Sequence, residues 1–241
     1  MVIRQILGLA LLTCACTLVS SRLRAGEPEL VDLHTVDPTI VIELRYAGAH
    51  NIAGRPLYPP NMPALVRPSV AAKLVHAQNE LLPRGFRLKI WDAWRPKAAH
   101  DQLWAAWPDK DYVGNPADGI GSLHTWGVAV DATMVDNQGH DVTMPTDFDA
   151  FTPEAMLKYT GRDPFVEAHL HTLQRAMSRA GFMGMRTEWW HFISRGWQQY
   201  HAVNDATKLM QPPAPAAPQP VRAAASNSAP VPTGGASGGA R

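Results

Sequence analysis

Cysteine is nearly absent from this chain. Only two occur in 241 residues, Cys14 and Cys16, and both lie in the apolar stretch at the N-terminus. From residue 26 onward there is none, so that part can be neither stapled by disulfides nor built around thiolate metal ligands; any metal there must be held by nitrogen and oxygen. An excess of one charge is also lacking. Lys and Arg number 22 against 21 Asp and Glu, and the basic stretch Arg84–Lys89 is interrupted by apolar residues. Nothing therefore marks nucleic acid as a partner. Long hydrophobic runs are missing beyond Val19, and internal repeats are missing throughout.

What is present divides the chain into three. Residues 1–25 read as an export signal: Arg4 supplies the positive start, Ile6–Val19 carries no charge, and small residues around Ser20–Gly26 offer processing points. An uncleaved anchor is the alternative, although the run is shorter than the ~20 residues of a full span. Lipid attachment at Cys14 or Cys16 is a third option that the preceding residues fit poorly. An exported, periplasmic protein without a stable membrane span is the expectation. Residues 211–241 turn to Pro, Ala, Gly and Ser, a composition too poor in apolar surface to offset the entropy of ordering, and read as a disordered tail. Residues 26–210 are left as one domain, long enough to be held by its own core.

Within that domain, Pro68–Leu82 has helical periodicity, with Val70, Leu74, Ala77 and Leu81 on one stripe and Gly85 beyond its end. Phe86–Trp91 alternates apolar and basic residues, the period of a strand. Lys97–Trp107 reads as a helix stopped by Pro108, and Gly127–Thr133 as a strand of small and β-branched residues. Asp163 and Pro164 open a third helix closed by Gly181, and Trp189–Ile193 reads as a final strand. The pattern predicts an α+β fold, a single compact domain with a small, mainly antiparallel sheet flanked by helices.

Two segments carry chemistry. The first is Ser122-Leu-His-Thr-Trp-Gly-Val-Ala-Val-Asp131; the second is Glu188-Trp-Trp-His191. His124, Asp131 and His191 make a ligand set of the kind that holds catalytic zinc, which leaves a fourth position for water. Glu188 is a candidate base. Histidine alone specifies nothing, since the chain has ten, and His169 and His171 stand two apart on a helix and point away from each other. The combination of H-x6-D with E-x-x-H is what singles out the site. A carboxylate on the apolar run Val128–Ala132 also demands a partner. A straight strand through Glu188–His191 would turn Glu188 away from His191, so a bend is required there.

Together these segments resemble the zinc peptidases that cleave D-alanyl-D-alanine bonds. Three more segments are similar to the dipeptidases of that group: Glu43–Tyr58, which matches an L-R-Y-A-x-x-x-N-F-x-G-x-x-x-Y block; Trp91–Pro96, which matches D-x-Y-R-P; and Met144–Asp149, which matches M-G-T-x-F-D. The likeness spans the whole domain. Trp94 in place of Tyr, Pro145 in place of Gly and Ile52 in place of Phe are departures that bear on the pocket's shape rather than on a catalytic group.

The resemblance implies one zinc ion per chain on His124, Asp131 and His191, Glu188 as the base, and Arg95 as the group opposing charge on the carbonyl oxygen. On its residues alone, Arg95 is equally a strand-end cation paired with Asp92. A dipeptide substrate carries a free ammonium and a free carboxylate, and a closed pocket must meet both. Asp149 is the candidate for the ammonium, with a turn cap as its other reading. Ser122 and Tyr46 are candidates for polar contacts. The implied reaction is hydrolysis of D-alanyl-D-alanine in wall turnover or D-alanine scavenging. A carboxypeptidase on longer wall peptides and a non-catalytic wall-binding protein are the alternatives.

Overall fold

A computed structural model describes residues 29–204; the segments read as export signal and tail lie outside them. Five strands form the main sheet in the order β2-β4-β5-β7-β6, and a second, two-stranded sheet pairs β1 with β3. These strands are β1 Val31–Asp32, β2 Val41–Ile42, β3 Leu65–Val66, β4 Phe86–Asp92, β5 Ala129–Asp136, β6 Phe182–Gly184 and β7 His191–Ser194. All pairings in the main sheet are antiparallel except the parallel edge pair β2–β4. Four α-helices accompany them: α1 Leu33–Val36, α2 Pro68–Leu81, α3 Lys97–Ala106 and α4 Pro164–Arg179. The fold is α+β, as the alternation of periods predicts.

The helices form where the sequence punctuates them. Pro68 and Pro164 sit in the first turns of α2 and α4, where the missing N–H costs nothing. The Asp163 side chain accepts from Phe165 N and Val166 N, a cap worth about 1 kcal/mol. α2 buries Val70, Leu74, Ala77 and Leu81, and α4 buries Val166, Leu170, Leu173 and Met177. Leu88 and Ile90 of β4 stand opposite Met134 and Ala132 of β5 and belong to the same buried core as those helix stripes.

Two expectations about strands need correction. β5 begins at Ala129, not Gly127, and continues to Asp136. Gly127 has φ +70° and closes the turn Ser122–Gly127, its N–H bonded to the His124 carbonyl at 2.9 Å. It also lies so close to Leu30 that an added Cβ would meet Leu30 Cδ2 at 2.5 Å. Trp189 and Trp190 are not strand residues either. They lie in a turn closed by His191 N–H to the Glu188 carbonyl at 3.3 Å, and β7 starts at His191. The two indoles are fully buried, and Trp189 packs edge-on against Trp91 and Trp190. Burial among aromatics overrode the strand preference of the residues.

Candidate active site

The turn after Glu188 and the turn before β5 together position the site. β5 and β7 pair antiparallel with Asp131 directly opposite His191, so both side chains point to one face of the sheet. The turn Ser122–Gly127 carries His124 back over that face. His124 Nε2 lies 3.1 Å from His191 Nδ1 and 3.4 Å from Asp131 Oδ2, while His191 Nδ1 lies 2.9 Å from Asp131 Oδ1. The Nδ1 N–H of His124 donates to the Ala93 carbonyl at 2.8 Å. A carbonyl can only accept, so this bond leaves Nε2 with its lone pair facing the other two residues.

Three lone-pair atoms on three buried side chains therefore converge, and electrostatics demands a cation or a proton among them. Nitrogen and oxygen atoms held about 2.0–2.1 Å from a tetrahedral ion stand about 3.3 Å from one another, close to the separations found here. The donor set of two imidazoles and one carboxylate fits zinc or a neighbouring divalent metal. In the protein without an ion, burial would lower His124, but Asp131 and Asp92 outweigh it and raise it above its ordinary value. Burial would raise Asp131, but His124 and His191 bring it well below the usual carboxylate range. His191 is lowered, chiefly by burial.

Arg95 and Glu188 flank this cluster in a cavity of about 280 Å³. Arg95 sits just after β4; its Nε and Nη2 donate to Asp92 Oδ2 at 3.0 and 2.7 Å. It is thus paired with Asp92, yet it also lines the cavity, with Nη2 3.8 Å from Asp131 Oδ2 and its guanidinium 4.7 Å above the Tyr46 ring. Asp92 is further held by Tyr58, whose hydroxyl donates to Oδ1. Sequence reading left Asp92 and Tyr58 without a role of their own, although both stand inside the segments that carried the resemblance. Glu188 is buried, with Oε2 3.7 Å from His191 Nδ1. The turn at Glu188–His191 supplies the bend that a straight strand could not. Burial, followed by the charges of Asp131 and Asp149, pushes the Glu188 carboxyl well above its usual range.

Asp149, Tyr46 and Ser122 line the same cavity. Asp149 has φ +56° and accepts from Tyr46 Oη at 3.2 Å and from Ile52 N–H at 3.0 Å. Burial raises its carboxyl to about 7. Its backbone carbonyl accepts from Phe151 N, so the local turn and the aimed carboxylate coexist in one residue. Ser122 Oγ accepts from His124 N–H at 3.3 Å and so helps set the ligand turn. Tyr112 and Phe151, stacked at 4.5 Å, form part of an apolar wall together with Met185, Ile193 and Trp197. These wall residues escape sequence reading because segments far apart in the chain deliver them. His100 Nε2 stands 2.8 Å from the Gly114 carbonyl and ties the loop bearing Tyr112 and Val113 to α3.

A buried His-Asp-His cluster with an adjacent acid in one cavity has the make-up of a metal-dependent hydrolase. The family of M15 peptidases described as D-ala-D-ala dipeptidases matches residues 26–208, and the chain belongs to this family of metallopeptidases. It is 35% identical to the D-alanyl-D-alanine dipeptidase of Escherichia coli (strain K12) over 164 residues, which cover 68% of this chain and 83% of that protein. Proteins of the same description from Enterococcus faecalis (strain ATCC 700802 / V583) and Enterococcus faecium are 27% and 26% identical. The aligned regions cover 62% and 64% of this chain and 83% and 85% of those proteins. Among the described residues, no helix is long and apolar enough to cross a membrane.

Proposed function

We propose that the protein hydrolyses D-alanyl-D-alanine to two D-alanines with one zinc ion, and that it does so outside the cytoplasm, in peptidoglycan turnover or D-alanine scavenging. The observation that carries the reading is that one small cavity joins the His-Asp-His cluster, Glu188, Arg95 and Asp149. His124, Asp131 and His191 would hold the ion. Zinc in such a place supplies Lewis acidity, polarising a carbonyl and making water more acidic.

The remaining work falls to side chains of this chain. Asp149 meets the substrate ammonium, which adds a positive charge beside a buried carboxylate otherwise held by the neutral donors Tyr46 Oη and Ile52 N–H. Glu188 takes a proton from the attacking water and later delivers it to the leaving amine; burial raises its affinity for that proton. Arg95, fixed by Asp92, faces the negative charge that develops on the carbonyl oxygen, a contact typically worth about 3 kcal/mol in the transition state. The apolar wall of Tyr112, Phe151 and Trp197 excludes water and strengthens each of these interactions. The apolar run of residues 1–25 supports export, and a cytoplasmic substrate pool would then be out of reach.

Incubation of the zinc-loaded protein with D-Ala-D-Ala, and separately with a pentapeptide ending in D-Ala-D-Ala, tests the reading through release of free D-alanine. Release from the dipeptide alone is expected. Release from the pentapeptide at a comparable rate would replace this reading with a carboxypeptidase.

A further inference from the structure

The segment that carries Asp149 is fastened to the segment after β2 by two sets of contacts, one on either side of Phe148. The inner set holds Asp149 itself, through Tyr46 Oη and Ile52 N–H at 3.2 and 3.0 Å. The outer set holds Asp147. His50 Nε2 lies 2.8 Å from Asp147 Oδ2, Arg45 Nη1 lies 3.8 Å from Asp147 Oδ1, and the Arg45 guanidinium also donates to His50 Nδ1. Arg45 is itself buried, held by Glu43 at 2.8 Å and seated 5.1 Å from the Trp91 ring centroid. Phe148, between the two acids, is wedged against Tyr46, Trp91 and Trp190.

Asp149 needs such support. At φ +56° Asp149 lies in the left-handed region, which Asp tolerates better than most residues but still at some cost, so contacts on both sides help to hold it. The inner contacts alone pin the carboxylate. The packing of Phe148 and the bond from Phe151 N–H to the Asp149 carbonyl restrain the backbone, and the outer contacts add to that restraint at residue 147, where Asp147 Oδ1 also accepts from Phe148 N–H at 2.8 Å. Asp147 occupies the open position of the segment Met144–Asp149, so the motif itself does not demand an acid there.

We propose that Arg45, His50 and Asp147 form a positioning clasp that sets Asp149 for the amino end of the substrate, and so tunes the demand for a free amine. The inference rests on the reading of Asp149 given above. Asp147 is half-exposed, so its removal should affect recognition far more than folding, shifting Tm by less than about 4 °C.

The test compares wild type, Asp147→Ala and the conservative Asp147→Asn, all zinc-loaded, on D-Ala-D-Ala and on propionyl-D-alanine, which lacks only the amino group. In Asp147→Ala, KM for the dipeptide is expected to rise about tenfold with kcat within about threefold, while kcat/KM for propionyl-D-alanine stays unchanged. Asp147→Asn should recover most of the loss. Equal losses on both substrates, or an unchanged KM, would overturn the clasp. Amide exchange of Ile52 gives a readout independent of turnover. It should quicken about tenfold in Asp147→Ala while β4 and β5 amides keep their protection, and an unchanged Ile52 rate also overturns the proposal. Should wild type hydrolyse no dipeptide, the dipeptidase reading and the amine role fail together, and Ile52 exchange alone decides whether the clasp positions Asp149.

Discussion

Asp131 and His191 face each other across β5 and β7 as register partners, with Asp131 Oδ1 2.9 Å from His191 Nδ1. Two of the three candidate ligands are therefore set by strand pairing, and the turn before β5 brings His124 to them. A one-residue slip of β7 along β5 would send His191 to the opposite face from Asp131. Asp131→Asn keeps the pairing and removes a negative ligand. It should weaken zinc binding by more than the 10–100-fold typical of losing a group that merely supports a ligand. Zinc titration against a competing chelator measures this, and an unchanged affinity would remove Asp131 from the ligand set.

Glu188→Gln separates the base from the ligands. The substituted side chain has the same shape and no proton to exchange, so kcat should fall about 10²–10⁴-fold with zinc content unchanged. Loss of the metal instead would make Glu188 a ligand. The variant should fold at least as stably as wild type when metal-free, because it no longer risks a buried charge next to Asp131.

Asp149 should make the metal-free protein less stable as pH rises. Its carboxyl is raised by burial to about 7 in the folded chain, against an ordinary value of 3.8. Between those values the folded state holds a proton that the unfolded state has released, so stability falls across that window and levels off above it. The interval, at about 1.4 kcal/mol per pH unit, bounds the loss at roughly 4 kcal/mol. Urea unfolding with chelator present, at pH 5 and pH 8.5, should show a smaller difference for Asp149→Asn than for wild type. For the zinc-loaded enzyme the same carboxyl predicts that KM for D-Ala-D-Ala falls as pH rises, because only the carboxylate attracts the ammonium.

Gly127→Ala should cost about 1–3 kcal/mol. The residue sits at φ +70° with its Cα facing Leu30 Cδ2, so both backbone and packing resist a side chain. Since the Gly127 N–H is bonded to the His124 carbonyl, zinc affinity should fall as well. Denaturant unfolding and zinc titration on the same sample check both effects.

The main helices and the residues that meet at the candidate site were legible because each leaves a local signature. Pro68, Asp163 and Pro164 mark helix starts by rules that need no tertiary context. His124, Asp131, Glu188 and His191 stand in two short segments whose spacing differs from that of the scattered histidines. The short strands β1, β2 and β3 were not legible, since two-residue strands carry no period. The Trp189–Trp190 turn was misread for a different reason. Its residues favour strands, and only the aromatic cluster with Trp91 and the bond from Trp189 N–H to the Ala155 carbonyl make a turn the better solution. Asp92 was visible only as a partner for Arg95, and its bond with Tyr58 joins residues 34 apart in sequence.

The separation of 60 residues between Asp131 and His191 bears on the order of assembly. β4 and β5 can pair as soon as residue 136 is available, but His191, the third candidate ligand, arrives only when β7 is laid against β5. A chain truncated or stalled before that point can hold no ion in this arrangement. Completing this cluster therefore requires β7 to be docked on β5, whether that docking precedes metal uptake or is driven by it.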